Sequence, residues 1–222
     1  MKFSESYNNY SASDIKKIVD ECVSWDVDWY CDCHDDFELL DQLNDKFSEH
    51  NIVLVDAELS SNYDAMGNEL SWVSPYIKLA YTYNDGQIVV EVSPTELFKI
   101  VEDSWSSDWT DFRNQLSAVI IHECTHQYQN EQHPFDQSNL VSEYEYIINP
   151  EEMAARAFAG VNELLDIGYT KEQLWDKLKV RDLEWMTESN QLCKYVEYLS
   201  YEDTANEIRK LKKYIETALR QS

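Results

Sequence analysis

His122 and His126 stand four residues apart with Glu123 beside the first, in the run His122-Glu123-Cys124-Thr125-His126. On a helix, that spacing puts both imidazoles on one face, a turn apart, where they can share a zinc ion. Glu123 is offset along the same surface, in reach of a water on that ion, and can take its proton. The set suits zinc chemistry on a carbonyl. The competing reading is a surface helix that carries polar residues by chance.

The flanking residues favour the metal. Asp111 to Gln132 holds no Gly and no Pro, and Phe112, Leu116, Val119, Ile120 and Ile121 lead into the motif as a helical, apolar run. Thr110 or Asp111 is the expected N-cap. Four consecutive apolar residues, Ala118 to Ile121, predict a helix buried on more than one side. Two histidines and a glutamate are costly there unless something satisfies them, and a metal ion does so.

A catalytic zinc site takes three protein ligands and keeps one open position. His133, Asp136 and a more distant carboxylate are the candidates for the third. The compact metzincin pattern, HExxHxxGxxH, needs a glycine and a third histidine where this chain has Gln129 and Gln132. His133 is therefore expected in a loop before Pro134. Glu152 fits better. Asn149 reads as an N-cap, Pro150 as N1 and Glu152 as N3 of the next long helix, whose Ala155 and Ala159 on the same face permit close packing. The alternative role for Glu152 is that of a capping-box glutamate. Glu151 is the next carboxylate to consider, with Glu143 and Glu145 behind it.

The motif together with Tyr146-Ile147-Ile148-Asn149-Pro150-Glu151-Glu152-Met153-Ala154-Ala155 resembles the gluzincin branch of the zincin metallopeptidases. It is most similar to the small cytoplasmic and phage-type members, whose third ligand begins an ExxA segment near a helix start. That segment falls on Glu152 and Ala155, or one residue earlier on Glu151 and Ala154. The resemblance covers about residues 70 to 165 and implies a zinc peptidase acting on a protein or peptide. His122, His126 and Glu152 would hold Zn²⁺ and Glu123 would be the general base. An oxyanion needs a second donor, for which Tyr146 is chosen and Tyr144 is the neighbour to compare. An edge strand would pair with the substrate, one of the two strands around Asp85-Gly86 serving.

The elements that must position these residues follow an α+β order. Residues 11 to 49 read as helices: Ser13 caps a segment with Ile15, Ile18, Val19 and Cys22 on one side, and Phe37, Leu40, Leu43 and Phe47 repeat in a second. Residues 52 to 93 read as strands. Ile52 to Val55 is one; Tyr76 to Tyr83 alternates, with Ile77, Leu79, Tyr81 and Tyr83 on one face; and Asp85-Gly86 turns the chain into Ile88 to Val92. Ser93 or Thr95 starts a short helix over 96–101. No strand signal follows Val92, and helices are expected over 171–179 and about 202–220. The expected architecture is a zincin-like core at 51–168, with a small antiparallel sheet packed on the motif helix and a second ligand helix. A helical extension at 1–50 and a helical region at 169–222 flank it.

Composition bounds the function. With 43 acidic residues against 18 basic ones and a net charge of −25, the chain lacks the basic footprint of a nucleic-acid binder or of a protein docking on anionic membranes. The charge also supports the alternative of a non-catalytic acidic decoy or DNA mimic on a zincin-like core. A closed structural zinc site is a third reading, which would need Cys124 or His133 as a fourth ligand. No apolar leader is evident in Met1 to Glu5, and no run is long enough to span a membrane. Five cysteines, an odd number, suit a reducing, cytoplasmic setting. Cys31-Asp32-Cys33-His34 is a possible metal cluster by residue type, but it lacks CxxC spacing and reads as a loop with buried thiols. Nothing in the sequence sets an oligomeric state.

Overall fold

The computed structural model describes residues 11–23, 33, 35–57, 74–82, 86–102, 107–132, 143–180, 182–199 and 204–222. The architecture is α+β, mostly helical with one small sheet. The chain separates into two compact units, one from Ser13 to Ile120 and one made of Ile121 to Ser222 together with the residues up to Ala12.

In the first unit, α1 (Ala12–Cys22) buries Ile15, Ile18, Val19 and Cys22, the expected stripe. It begins at Ala12, so Ser13 lies in its first turn and is not the cap. In α2 (Asp36–Phe47) the Asp35 carboxylate caps by accepting from the Glu38 N–H at 2.9 Å. Its buried face is Leu39, Leu40, Leu43 and Phe47, while Phe37 is 58% exposed. The expected stripe was off by one residue. At about 100° per residue, position 37 falls about a quarter turn from the centre of that face. A 3₁₀ turn (Ser48–His50) and Asn51, in the left-handed region at φ 59°, then lead into the sheet. Asn tolerates that conformation better than most residues.

The sheet has strands β1 (Ile52–Asp56), β2 (Ile77–Thr82) and β3 (Ile88–Val92) in the order β1-β3-β2. β2 and β3 pair antiparallel, as the Asp85-Gly86 turn predicts, but β1 pairs with β3 in parallel. The sheet is therefore mixed and not antiparallel throughout. All five residues of β3 are buried, as a central strand requires, and the continuous apolar run Ile88-Val89-Val90 reads accordingly. β3 is hydrogen-bonded on both sides, so of the two strands around the turn only β2 is an edge among the described residues. A register shift between Ile77 and Leu79 breaks the expected alternation of β2 and places Lys78 in a buried position, its Nζ 3.4 Å from the Ala57 carbonyl. The outer side of β1 is held by α2: Asn44 donates to the Leu54 carbonyl and accepts from the Leu54 N–H, each at 2.7 Å.

Ser93 caps α3 (Pro94–Glu102), its hydroxyl accepting from the Glu96 N–H at 3.3 Å. α4 (Ser107–Gln132) carries the histidine motif. It starts at Ser107, so Thr110 and Asp111 lie inside it, and Asp108 in the first turn suits the helix dipole. Phe112 packs edge-on against Tyr76, with ring centroids 6.0 Å apart. The division into units falls within α4, between Ile120 and Ile121. A helix of 26 residues is about 39 Å long, enough for its two halves to belong to different cores.

The second unit contains α5 (Glu143–Ile147), α6 (Pro150–Asp166), α7 (Lys171–Lys179), a 3₁₀ turn (Glu184–Glu188), α8 (Cys193–Tyr198) and α9 (Ala205–Gln221). Thr170 and Gln173 form a capping box at the start of α7. α9 packs on α6 through a face that buries Leu211, Ile215, Ala218 and Leu219. α6 approaches the segment 189–192 so closely that a Cβ on Gly160 would meet Leu192 at 2.5 Å and Ser189 at 2.9 Å. Among the described residues no strand follows Val92, and no helix is long and apolar enough to cross a membrane.

Candidate metal centre

α4 brings His122 and His126 together as the four-residue spacing requires, with ring centroids 4.6 Å apart and planes at 84°. The start of α6 supplies the third group. Asn149 caps it by accepting from the Glu151 N–H at 2.8 Å, and Pro150 occupies the first turn. Glu152 then lies within the first turn with its side chain turned inward and 2% exposed. It is not a capping-box glutamate: the Asn149 N–H donates to the Tyr146 carbonyl, and the Glu152 carboxylate faces His126 and Arg156. Ala155 and Ala159 are fully buried, as close packing of this face demands.

Three donor atoms converge. His126 Nε2 lies 3.0 Å from His122 Nε2 and 3.0 Å from Glu152 Oε2, and His122 Nε2 lies 3.6 Å from the same oxygen. His122, His126 and Glu152 are the metal-capable group found among the described residues. Glu151 is not part of it, so of the two registers for the ExxA segment the geometry selects Glu152. Glu145 is exposed. Glu143 has no described side chain, and His133, Asp136, Cys31 and His34 lie outside the described residues. Cys33 is buried and its thiol donates to Gln42 Oε1 at 3.1 Å. Cys124 is buried in the motif but outside the donor group, and burial pushes its thiol up to about 12, so it stays protonated.

Protonation follows from the hydrogen bonds. Gln129 Nε2 donates to the Glu151 carbonyl at 2.9 Å, which fixes the amide so that Oε1 faces His126 Nδ1, also at 2.9 Å. His126 Nδ1 is therefore the N–H, and its Nε2 presents a lone pair toward the Glu152 carboxylate. Two lone pairs 3.0 Å apart repel unless a cation lies between them, whether a proton or a metal ion. The charges show the same demand. Burial pulls His126 down, but the hydrogen bond to Glu152 and the charges of Glu152 and Glu123 outweigh it and raise its pKa. Burial holds His122 down to about 3, a neutral ring whose Nδ1 has no hydrogen-bond partner among the described residues. Burial alone would raise Glu152. The Arg156 guanidinium, then the two histidines, reverse this and hold the carboxyl well below the usual range. With a metal ion in place of the proton that His126 attracts, two neutral imidazoles and one ionised carboxylate are the donor set of a divalent transition metal, and the residues fit one.

Glu123 is buried beside this group, with Oε1 4.0 Å from His122 Nε2. Tyr146 is half-buried. Burial, the Glu152 charge and a hydrogen bond to Glu152 raise its pKa well above the usual value, so it is a neutral donor. Tyr144 is exposed. Sequence reasoning missed three residues of the site. Gln129 orients His126 from one turn along α4, and Arg156 holds Glu152 from one turn along α6; both spacings were readable as local helix pairs. Tyr195, fully buried and donating to the Ile147 carbonyl at 3.0 Å, comes from α8 and had no local signal. Compared with known proteins, the chain matches no family model, no curated protein and no solved structure.

Proposed function

We propose that the protein is a zinc-dependent metallopeptidase of the gluzincin type, with a zincin-like core and a protein or peptide substrate. The observation that carries this reading is the convergence of His122 Nε2, His126 Nε2 and Glu152 Oε2, at 3.0, 3.0 and 3.6 Å, next to a buried Glu123. Donors arranged tetrahedrally about zinc at about 2.0–2.1 Å lie about 3.3 Å from one another, close to these separations. Bound Zn²⁺ supplies Lewis acidity, polarising a carbonyl and lowering the pKa of water from 15.7 to about 7.

The rest falls to side chains. Glu123 accepts the proton of the attacking water and returns it to the leaving amine. Its burial excludes bulk water, which would otherwise compete for that proton. Tyr146, kept protonated, donates a hydrogen bond to the oxyanion, exchanging its resting bond to Glu152 for it. Gln129 holds His126 in the tautomer whose Nε2 faces the site. None of the described cysteines is in a disulfide, which suits a cytoplasmic enzyme.

Purified protein is expected to hold about one zinc per chain, and His122→Ala or His126→Ala to lose it. Glu123→Gln keeps the zinc and loses turnover of a peptide library. A folded wild type that binds no zinc at metal excess ends the enzyme reading.

A further inference from the structure

Glu152 divides its two oxygens. Oε2 faces the histidines, 3.0 Å from His126 Nε2, and Oε1 accepts from Arg156 Nε at 2.5 Å. Arg156 is one helical turn further along α6, and its side chain is 14% exposed against 2% for Glu152. Pairs at this spacing usually sit in solvent and contribute little to a helix. This one is buried, where the desolvation of two charges cancels most of their attraction and an apolar pair would pack as stably. Tyr146 and Tyr195, both neutral hydroxyls, also act on Arg156, and Glu152 is the carboxylate it pairs with among the described residues.

We propose that Arg156 is a positioning residue that makes Glu152 a ligand through one oxygen only. The inference rests on the metal-site reading above. A carboxylate with both oxygens free can chelate an ion and fill the position that a catalytic site keeps open. With Oε1 claimed by Arg156, Oε2 alone reaches the ion. The guanidinium also draws charge from the carboxylate, leaving the ion more electrophilic toward a carbonyl.

The test compares wild type, Arg156→Met and Arg156→Lys by zinc affinity, using a competing chelator, and by the visible absorption of the Co²⁺-loaded proteins at saturating metal. Arg156→Met is expected to lose about 10–100-fold in zinc affinity. Its Co²⁺ bands are expected to weaken as the freed oxygen raises the coordination number, with Arg156→Lys recovering part of both. An Arg156→Met protein that matches wild type in affinity and spectrum overturns the proposal and leaves the metal site standing. Lower affinity with an unchanged spectrum overturns it too, since Arg156 would then support folding and not the ligation mode. A folded wild type that binds neither ion overturns both readings. If circular dichroism shows that Arg156→Met does not fold, Arg156→Gln carries the same comparison.

Discussion

Two buried glutamates on the same helix, Glu152 and Glu163, are alike in burial and opposite in character. Glu152 at the start of α6 is 2% exposed, and Glu163 three turns later is 3% exposed. Glu163 accepts from Ser189 Oγ at 2.6 Å, Asn190 Nδ2 at 2.8 Å and the Gln191 N–H at 3.3 Å. All three donors are neutral, and burial outweighs them, so its pKa is raised. Glu152 faces a guanidinium and two ring nitrogens, and its pKa is lowered. Burial thus does not tell the two apart, and the partners do: Glu163 is satisfied by a loop that it holds to the helix, whereas Glu152 shares its oxygens between a guanidinium and a group that could hold a metal ion.

The largest expected difference comes from removing each in turn. Glu152→Ala should lower zinc affinity by about 100-fold or more, since a three-ligand site becomes a two-ligand one. Glu163→Ala should leave that affinity within a few-fold and cost about 2–3 kcal/mol of stability in urea unfolding, as buried donors lose their acceptor. Equal loss of metal from both variants would erase the distinction.

Gly160 lies between the two on α6, and its missing Cβ makes room for Leu192 and Ser189, the latter a partner of Glu163. Gly160→Ala should push that segment away and cost about 1–2 kcal/mol, with zinc affinity unchanged. Truncating the neighbour as well, in Gly160→Ala/Leu192→Ala, should show favourable coupling between the two sites.

The smallest effect is in pH. A carboxyl whose folded pKa is raised contributes stability that is present below its unfolded value, about 4.3. That contribution fades as pH rises through the folded pKa. Relative to Glu163→Gln, the wild type should therefore weaken as pH rises from about 4 toward neutrality. A flat difference between the two proteins over that range would place Glu163 with Glu152 after all.

The legible parts of this molecule are the local ones. Four-residue spacing put two histidines on one face, and Asn149-Pro150 set where α6 begins, hence which glutamate turns inward. Even so, local reading stopped short of Gln129 and Arg156, because glutamine and arginine on a helix usually face water. Long-range pairings gave no signal. The parallel pairing of β1 with β3 joins Ile52 to Ile88 across a stretch whose own pattern suggests only strands. The donors that the loop at 189–191 offers Glu163 and the reach of Tyr195 to Ile147 are likewise set by packing, not by spacing. Phe37 shows the same limit on a small scale, since a helical repeat fixes the period of a stripe but a neighbour chooses its phase.

Asn44 does for β1 what a neighbouring strand would do, and its reach has a kinetic side. The contact between Asn44 and Leu54 closes a loop of 10 residues, whereas the first rung joining β1 to β3 pairs Ile52 with Ile88. Loop-closure entropy makes the longer connection dearer by about 1 kcal/mol. The α2–β1 piece is therefore the one able to assemble early, on local contacts that favour fast folding. It offers β3 a strand whose far side is already occupied at Leu54. A nascent chain would then have fewer wrong partners to choose from when the sheet closes.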